Sequence, residues 1–295
     1  MNDQAQRLRE RLRELPLRSK PQPGSGDGKK TKVIAVTSGK GGVGKSNFSL
    51  NFALGLRERG HRVVLFDLDL GFANIDVLMG ISAKKNIIDL IDKRLSIWDI
   101  IERGPNDLQF VAGGSGLSQI FELDEIKLHY FFDQLAQLQG YADTIILDTG
   151  AGMSKDMLRF LLSADEIVLV TTPEPTSVTD AYALVKMAHY QKPDIKCNVV
   201  VNRAANEKEG SSTGAKLLLV ARQFLQLEMN MLGFVYDDAH VSKAVKKQRP
   251  LCLAYPASKA AQSFKNLVQA YLSHGHPEEG GGVRGFLVRL RKLWK

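Results

Sequence analysis

Residues 39 to 46 read Gly39-Lys40-Gly41-Gly42-Val43-Gly44-Lys45-Ser46. A short β-branched run, Val33 to Val36, stands before them and a helix-length stretch, Ser46 to Arg59, follows, so the octet joins a strand to a helix. The spacing fits GxxxxGK[ST] in the setting that pattern requires. Glycines let the backbone curl until successive N–H groups face one anion, and the helix N-terminus adds its partial positive charge at the same point. On this reading Lys45 neutralises phosphate and the Ser46 hydroxyl ligates Mg²⁺. Gly39, Gly41, Gly42, Val43, Gly44 and Asn47 complete the cradle.

Outward from the loop, β-branched runs alternate with helical periods. The runs are Val33 to Val36, Arg62 to Phe66, Leu108 to Val111, Thr144 to Leu147, Ile167 to Val170, Asn198 to Val201 and Met231 to Val235. Between and after them lie Ser46 to Arg59, Leu123 to Leu138, Val178 to His189, Lys216 to Leu227 and Lys259 to Leu272. This order predicts an α/β domain with a doubly wound, mostly parallel sheet and helices on both faces. No internal repeat stands out. The expected boundaries are an N-terminal amphipathic helix in 1–20, a Pro/Gly linker in 21–31, the folded domain in 32–274, a Gly-rich linker in 275–283 and a second amphipathic helix in 284–295.

Of the 295 residues, 44% are hydrophobic and 24% charged, which excludes disorder, and the apolar runs fall short of the roughly 18 residues of a spanning helix. Two distant cysteines, Cys197 and Cys252, supply neither a disulfide framework nor a metal knuckle, which points to a reducing, cytoplasmic compartment. The net charge is +8, of which +5 sits in residues 1–32 and +5 in 284–295, so residues 33–283 carry −2. A basic face for nucleic acid is therefore not expected on the body.

Two more acidic positions fall where phosphate chemistry needs them. Asp67-Leu68-Asp69 ends the second run, placing two carboxylates at the carboxyl edge of the sheet, where ligands of such sheets bind. Asp148 ends the Thr144 to Leu147 run and precedes Gly150-Ala151-Gly152. Each aspartate could instead cap the helix after it. Asn202-Arg203 ends a later strand and could be a turn. Glu174 and Asp180 lie in a loop and helix start that could be no more than a capped N-terminus.

At the ends of the chain, Phe286, Leu287, Leu290, Leu293 and Trp294 fall within an arc of roughly 120° opposite five basic residues. That is the pattern of a helix lying in an anionic membrane surface, of one docked on its own domain, or of one on DNA; the Gly280-Gly281-Gly282 tether argues against docking. Ala5, Leu8, Leu12 and Leu15 form a shorter stripe, too small to be stable alone.

The form KGGVGKS, with Lys40 as well as Lys45, resembles the deviant phosphate loop of the MinD/ParA (SIMIBI) ATPases. Together with DQAQRLR at residues 3–9, DLDLGFANIDVLMG at 67–80, TTPEPTSVTDAY at 171–182 and the basic tail, nearly the whole chain resembles the FlhG (YlxH) family of flagellar MinD-like ATPases. The resemblance implies a slow ATPase, with ATP and Mg²⁺ as cofactors, that forms a homodimer around two ATP molecules. By it Lys40 and Glu174 reach the partner's nucleotide, Asp69 positions the attacking water, Asp67 and Asp148 serve the metal, and Asn202, Arg203, Asp237 and Asp238 meet the base. It further implies that Asp3, Gln4, Ala5 and Leu8 engage the FlhF GTPase, that Asp180 lies on a partner surface, that switch-ring proteins of the flagellum are bound, and that the tail meets an anionic membrane. Cell-division MinD and DNA-partitioning ParA are its rivals; the absence of an NKxD motif favours ATP over GTP.

Overall fold

The computed structural model of the chain describes residues 30–69, 74–114, 124–152, 154–273 and 281–294. Asp3, Gln4, Ala5 and Leu8 lie outside the described residues. Eight strands form one sheet: β1 (Lys32–Thr37), β2 (Val63–Leu68), β3 (Glu102–Arg103), β4 (Gln109–Val111), β5 (Thr144–Thr149), β6 (Glu166–Thr171), β7 (Cys197–Ala204) and β8 (Asn230–Tyr236). Their order is β3-β4-β2-β5-β1-β6-β7-β8, parallel throughout except where the two-residue β3 meets β4. All seven β-branched runs are strands; β3 is too short to leave a periodic signal.

Each strand feeds two cores because successive side chains point to opposite faces. Val33 and Ala35 face one layer while Ile34 and Val36 face the other. The Ile34 side is covered by α1 (Lys45–Glu58), the short α2 (Ile75–Met79), and, from later in the chain, α10 (Leu251–Ala254) and α11 (Lys259–Ser273), with Phe48 and Phe52 stacked at 5.3 Å. The Val33 side is covered by α3 (Ile87–Asp92), α4 (Ile97–Ile100), α5 (Glu125–Ala136), α6 (Lys155–Ser163), α7 (Pro175–Gln191) and α8 (Glu207–Leu225). One further helix, α9 (Ala239–Lys246), follows β8. Cys197 and Cys252 are free and buried, their thiol pKa values pushed up to about 12 chiefly by burial. Among the described residues, no helix is long and apolar enough to cross a membrane.

The last helix, α12 (Gly282–Trp294), differs from the tethered tail expected of the sequence. Its amphipathy is as read, but its apolar face is filled by the protein itself. Val283, Phe286, Leu287 and Leu290 are buried in the Val33-side core, and Phe286 stacks on Phe160 of α6 at 6.4 Å. Trp294 stands edge-on to Phe132 of α5 at 5.9 Å, and Leu293 is partly buried beside it. Burying each of the three large side chains is worth roughly 1.5–3 kcal/mol, enough to hold a 13-residue helix that would not persist alone. The Gly280 tether does not prevent this, because helix begins at Gly282 and Val283 is already inside the core.

Candidate functional site

β1 ends in the glycine loop, and the carboxyl ends of β2 and β5 stand beside it. Gly42 and Gly44 have φ of 81° and 93°, the left-handed turn that aims the loop's N–H groups inward. Gly44 is the N-cap of α1 and supplies no side-chain cap, so the helix leaves its first-turn donors for an anion. A Cβ on Gly44 would stand 2.4 Å from Asn202 Nδ2, and one on Gly39 would stand 2.2 Å from the Asp180 backbone. The loop therefore rests directly on β7 and on the first turns of α7.

Inside the loop, Lys45 Nζ donates to Asp148 Oδ1 at 2.9 Å and to the Ser46 hydroxyl at 3.3 Å. Lys45 is 6% exposed and Asp148 fully buried. Ser49, one helical turn beyond Lys45, donates to the same Oδ1 at 2.7 Å. Asp148 Oδ2 has no hydrogen-bond partner, an orphaned acceptor beside the phosphate cradle. Asp67 lies opposite Asp148 in the sheet register. Burial, and then the Asp148 charge, push the Asp67 pKa up to about 6. Two buried carboxylates, one with an unmatched oxygen, next to a Ser hydroxyl make a donor set suited to a hard divalent cation.

Asp67 also does what the alternative reading of these aspartates allowed, capping the helix that follows it. Its Oδ2 accepts the N–H groups of Asn74 and Ile75 at 2.8 and 3.1 Å, and its Oδ1 that of Asp69 at 3.2 Å. It thus ties Asp69 and the first residues of α2 to the end of β2. Asp69 itself lines the same cleft, of about 470 Å³, as the glycine loop and Asn202.

Lys40 stands apart from Lys45. It is 39% exposed and reaches Glu174 Oε2 at 3.0 Å and Thr176 Oγ1 at 3.2 Å at the start of α7. Within one chain, then, the two residues expected to reach a partner's nucleotide hold each other.

The residues expected at the base are placed differently from one another. Asn202 donates through Nδ2 to the Val43 carbonyl at 2.7 Å, bracing the phosphate loop. Arg203 and Asp237 are exposed on the cleft rim, Arg203 with a φ of 58°. Asp238 caps α9 by accepting from His240 N at 2.9 Å and also accepts from Ala260 N at 3.2 Å, so its carboxylate joins α9 to α11. Asn47 accepts from Asn51 at 2.9 Å. Ser49 was missed by sequence reading, though findable as the position one turn after Lys45 on the same helical face; Thr176 lay in the 171–182 stretch without its bond to Lys40 being foreseen.

Residues 34–251 match the CobQ/CobB/MinD/ParA nucleotide binding domain. The antiactivator FleN of Pseudomonas aeruginosa is 38% identical over 257 residues, covering 87% of this chain and 92% of its own. The flagellum site-determining protein YlxH of Helicobacter pylori is 34% identical, covering 89% and 90%. In fold, the chain matches the septum site-determining protein MinD of Pyrococcus horikoshii, complexed with Mg-ADP, at a TM-score of 0.67 and 23% identity, over 82% of this chain and 96% of that one.

Proposed function

The chain belongs to the CobQ/CobB/MinD/ParA nucleotide-binding family, and on that footing we propose that it is an ATP-dependent dimerising switch that regulates the number and placement of flagella. The observation that carries the switch is the division of labour between its two lysines. Lys45 is turned into the loop on a buried carboxylate, whereas Lys40 sits on the rim in an exposed pair with Glu174. A rim lysine held by an exposed pair and one exposed hydroxyl is free to exchange them for phosphate on a second copy, since exposed pairs contribute little, about 0–1 kcal/mol.

In this reading the loop N–H groups and Lys45 bind the phosphates of ATP, and Ser46 and Asp148 hold the accompanying Mg²⁺. The cation, when bound, draws charge from the phosphate oxygens. Asp69 orients water for hydrolysis, and Asp67 holds the Asp69 backbone N–H. Asn202 sets the loop's height above the sheet. Arg203 and Asp237 border the base, while Asp180, packed on Gly39, passes loop movement to the surface of α7.

Dimerisation would release α12 from its seat and present Phe286, Leu287, Leu290, Leu293 and Trp294 to an anionic bilayer, two tails binding with avidity where one is marginal. Asp3, Gln4, Ala5 and Leu8 would act on the FlhF GTPase, and switch-ring proteins would meet the folded body. Cosedimentation with anionic vesicles in ATP and in ADP, beside light scattering of the same samples, tests the reading. ATP alone should give dimers and pelleting; Lys40→Ala should give neither, and deletion of 284–295 should give dimers without pelleting. A Lys40→Ala protein that dimerises with ATP overturns the switch.

A further inference from the structure

We propose that the groove beneath α12 has a second occupant, the chain's own segment 3–15, so that the two terminal segments exchange for one seat. From residue 5 the sequence runs Ala-Gln-Arg-Leu-Arg-Glu-Arg-Leu-Arg-Glu-Leu, and from residue 283 Val-Arg-Gly-Phe-Leu-Val-Arg-Leu-Arg-Lys-Leu. Laid together, Ala5 falls on Val283, Leu8 on Phe286, Leu12 on Leu290 and Leu15 on Leu293. Arg11 falls on Arg289. Eleven residues at opposite ends of a long chain are too few to stand out as a repeat, and only the groove gives the match a meaning.

The groove reads those positions. Its floor is Phe66 and Leu68 of β2 with Ile145 and Leu147 of β5, its walls Phe131 and Leu135 of α5 and Phe160 of α6. Val283, Phe286 and Leu290 fill it. At its end Arg289 donates to Asp165 Oδ1 at 2.7 Å and to the Ser163 carbonyl at 2.8 Å, fixing the register of the helix by a directed charge pair. A helix over 3–15 in the same register brings three apolar side chains and Ala5 to the floor and Arg11 to Asp165. It turns Gln6, Glu10, Arg13 and Glu14 outward, where α12 exposes Arg284, Val288, Arg291 and Lys292.

Connection allows it. β1 begins beside the groove mouth: the Thr31 hydroxyl donates to the Leu138 and Ala142 carbonyls, and α12 begins against Gln139 in the same turn, Arg284 N donating to its Oε1 at 3.4 Å. Residues 16–30 between the segment and β1 can span at most about 50 Å, against a groove the length of 13 helical residues, about 20 Å. Pro16 follows Leu15, where a helix must stop.

The two occupants are not equal. Leu8 is smaller than Phe286, Ala5 smaller than Val283, and Arg9 replaces the buried Leu287, so α12 holds the seat whenever it is present, as in this structure. The exchange rests on the reading that α12 leaves; once it does, residues 3–15 close an apolar strip that water would otherwise meet, and are themselves withdrawn from any other partner. The termini are thereby made mutually exclusive.

The test uses the full chain without nucleotide or membrane, so its failure leaves the vesicle experiment standing and the reverse also holds. A benzophenone amino acid replaces Leu8, and crosslinks are mapped in the otherwise unaltered protein and with Leu290→Asp, which removes the central side chain of α12. Arg289→Glu, a change at a half-buried position that sets charge against Asp165, carries the test if Leu290→Asp loses nucleotide binding and so its fold. Crosslinks from position 8 to residues 125–136 and 155–163 should rise several-fold on undocking and disappear again with Leu12→Asp. No rise, crosslinks indifferent to Leu12→Asp, or crosslinks that join isotope-labelled to unlabelled chains overturn the exchange.

Discussion

Asp148, at the carboxyl end of the sheet, is treated in the opposite way to the buried carboxylates at the amino end. At the amino end Glu166, 3% exposed, meets Lys32 Nζ at 2.8 Å and the Tyr271 hydroxyl, and Asp165 accepts from Val33 N at 3.0 Å as well as from Arg289. At the carboxyl end Asp148 spends one oxygen on Lys45 and Ser49 and leaves the other unmatched. The amino end also has the larger cleft, about 680 Å³, lined by these paired ions. Cleft size is therefore no guide to chemistry here. A buried charge whose valence is filled by the fold is structural, and one left incomplete is where a ligand's charge belongs.

Removing one lysine from each end gives the largest test of that contrast. Lys32→Ala takes the counter-ion from buried Glu166 and should cost about 3 kcal/mol in urea unfolding, with nucleotide affinity unchanged. Lys45→Ala should weaken nucleotide binding by on the order of a hundredfold, the worth of one or two charge-assisted bonds, measured by titration calorimetry. If Lys32→Ala weakens nucleotide binding as much, the division between the ends is wrong.

A smaller effect sharpens the carboxyl end. The folded protein holds the Asp67 proton to about pH 6 against the ordinary 3.8 of an aspartate, so the folded state binds more protons than the unfolded between those values. Stability should then fall as pH rises through that window, by at most about 3 kcal/mol. Asp67→Asn should flatten the slope, whatever it does to absolute stability, and Mg²⁺ with nucleotide should flatten it in the unaltered chain. A slope that Asp67→Asn leaves intact would place the titrating group elsewhere. Smallest is Asn202→Ala, which removes one hydrogen bond to Val43 and should cost about 1 kcal/mol of unfolding stability. It should also weaken nucleotide binding severalfold, both read from thermal melts with and without ATP.

What the sequence made legible was local. The glycine loop, the aspartates at strand ends and the seven longer strands each depend on spacing within a few residues. What it hid depends on neighbours. α8 starts at Glu207 and not near Lys216, because Gly210 and Gly214, poor helix formers, are required where a Cβ would strike Phe234 at 2.6 Å and Met231 at 2.3 Å. α6 was overlooked, though Ser154 accepts from Met157 N as its cap and Leu158, Leu161 and Leu162 carry helical spacing. Asn202 was placed at the right strand end, but only coordinates tell that its amide turns to Val43. An apolar arc on α12 has the same pattern whether lipid or a groove lies against it, so amphipathy was legible and its counterpart was not.

α12 follows every other described element of the domain in order of synthesis. The strip of β2, β5, α5 and α6 beneath it is complete in sequence before residues 282–294 emerge. A growing chain therefore passes through a stage at which this apolar furrow is not yet filled by α12, and at that stage residues 3–15, chaperones and other growing copies compete for it.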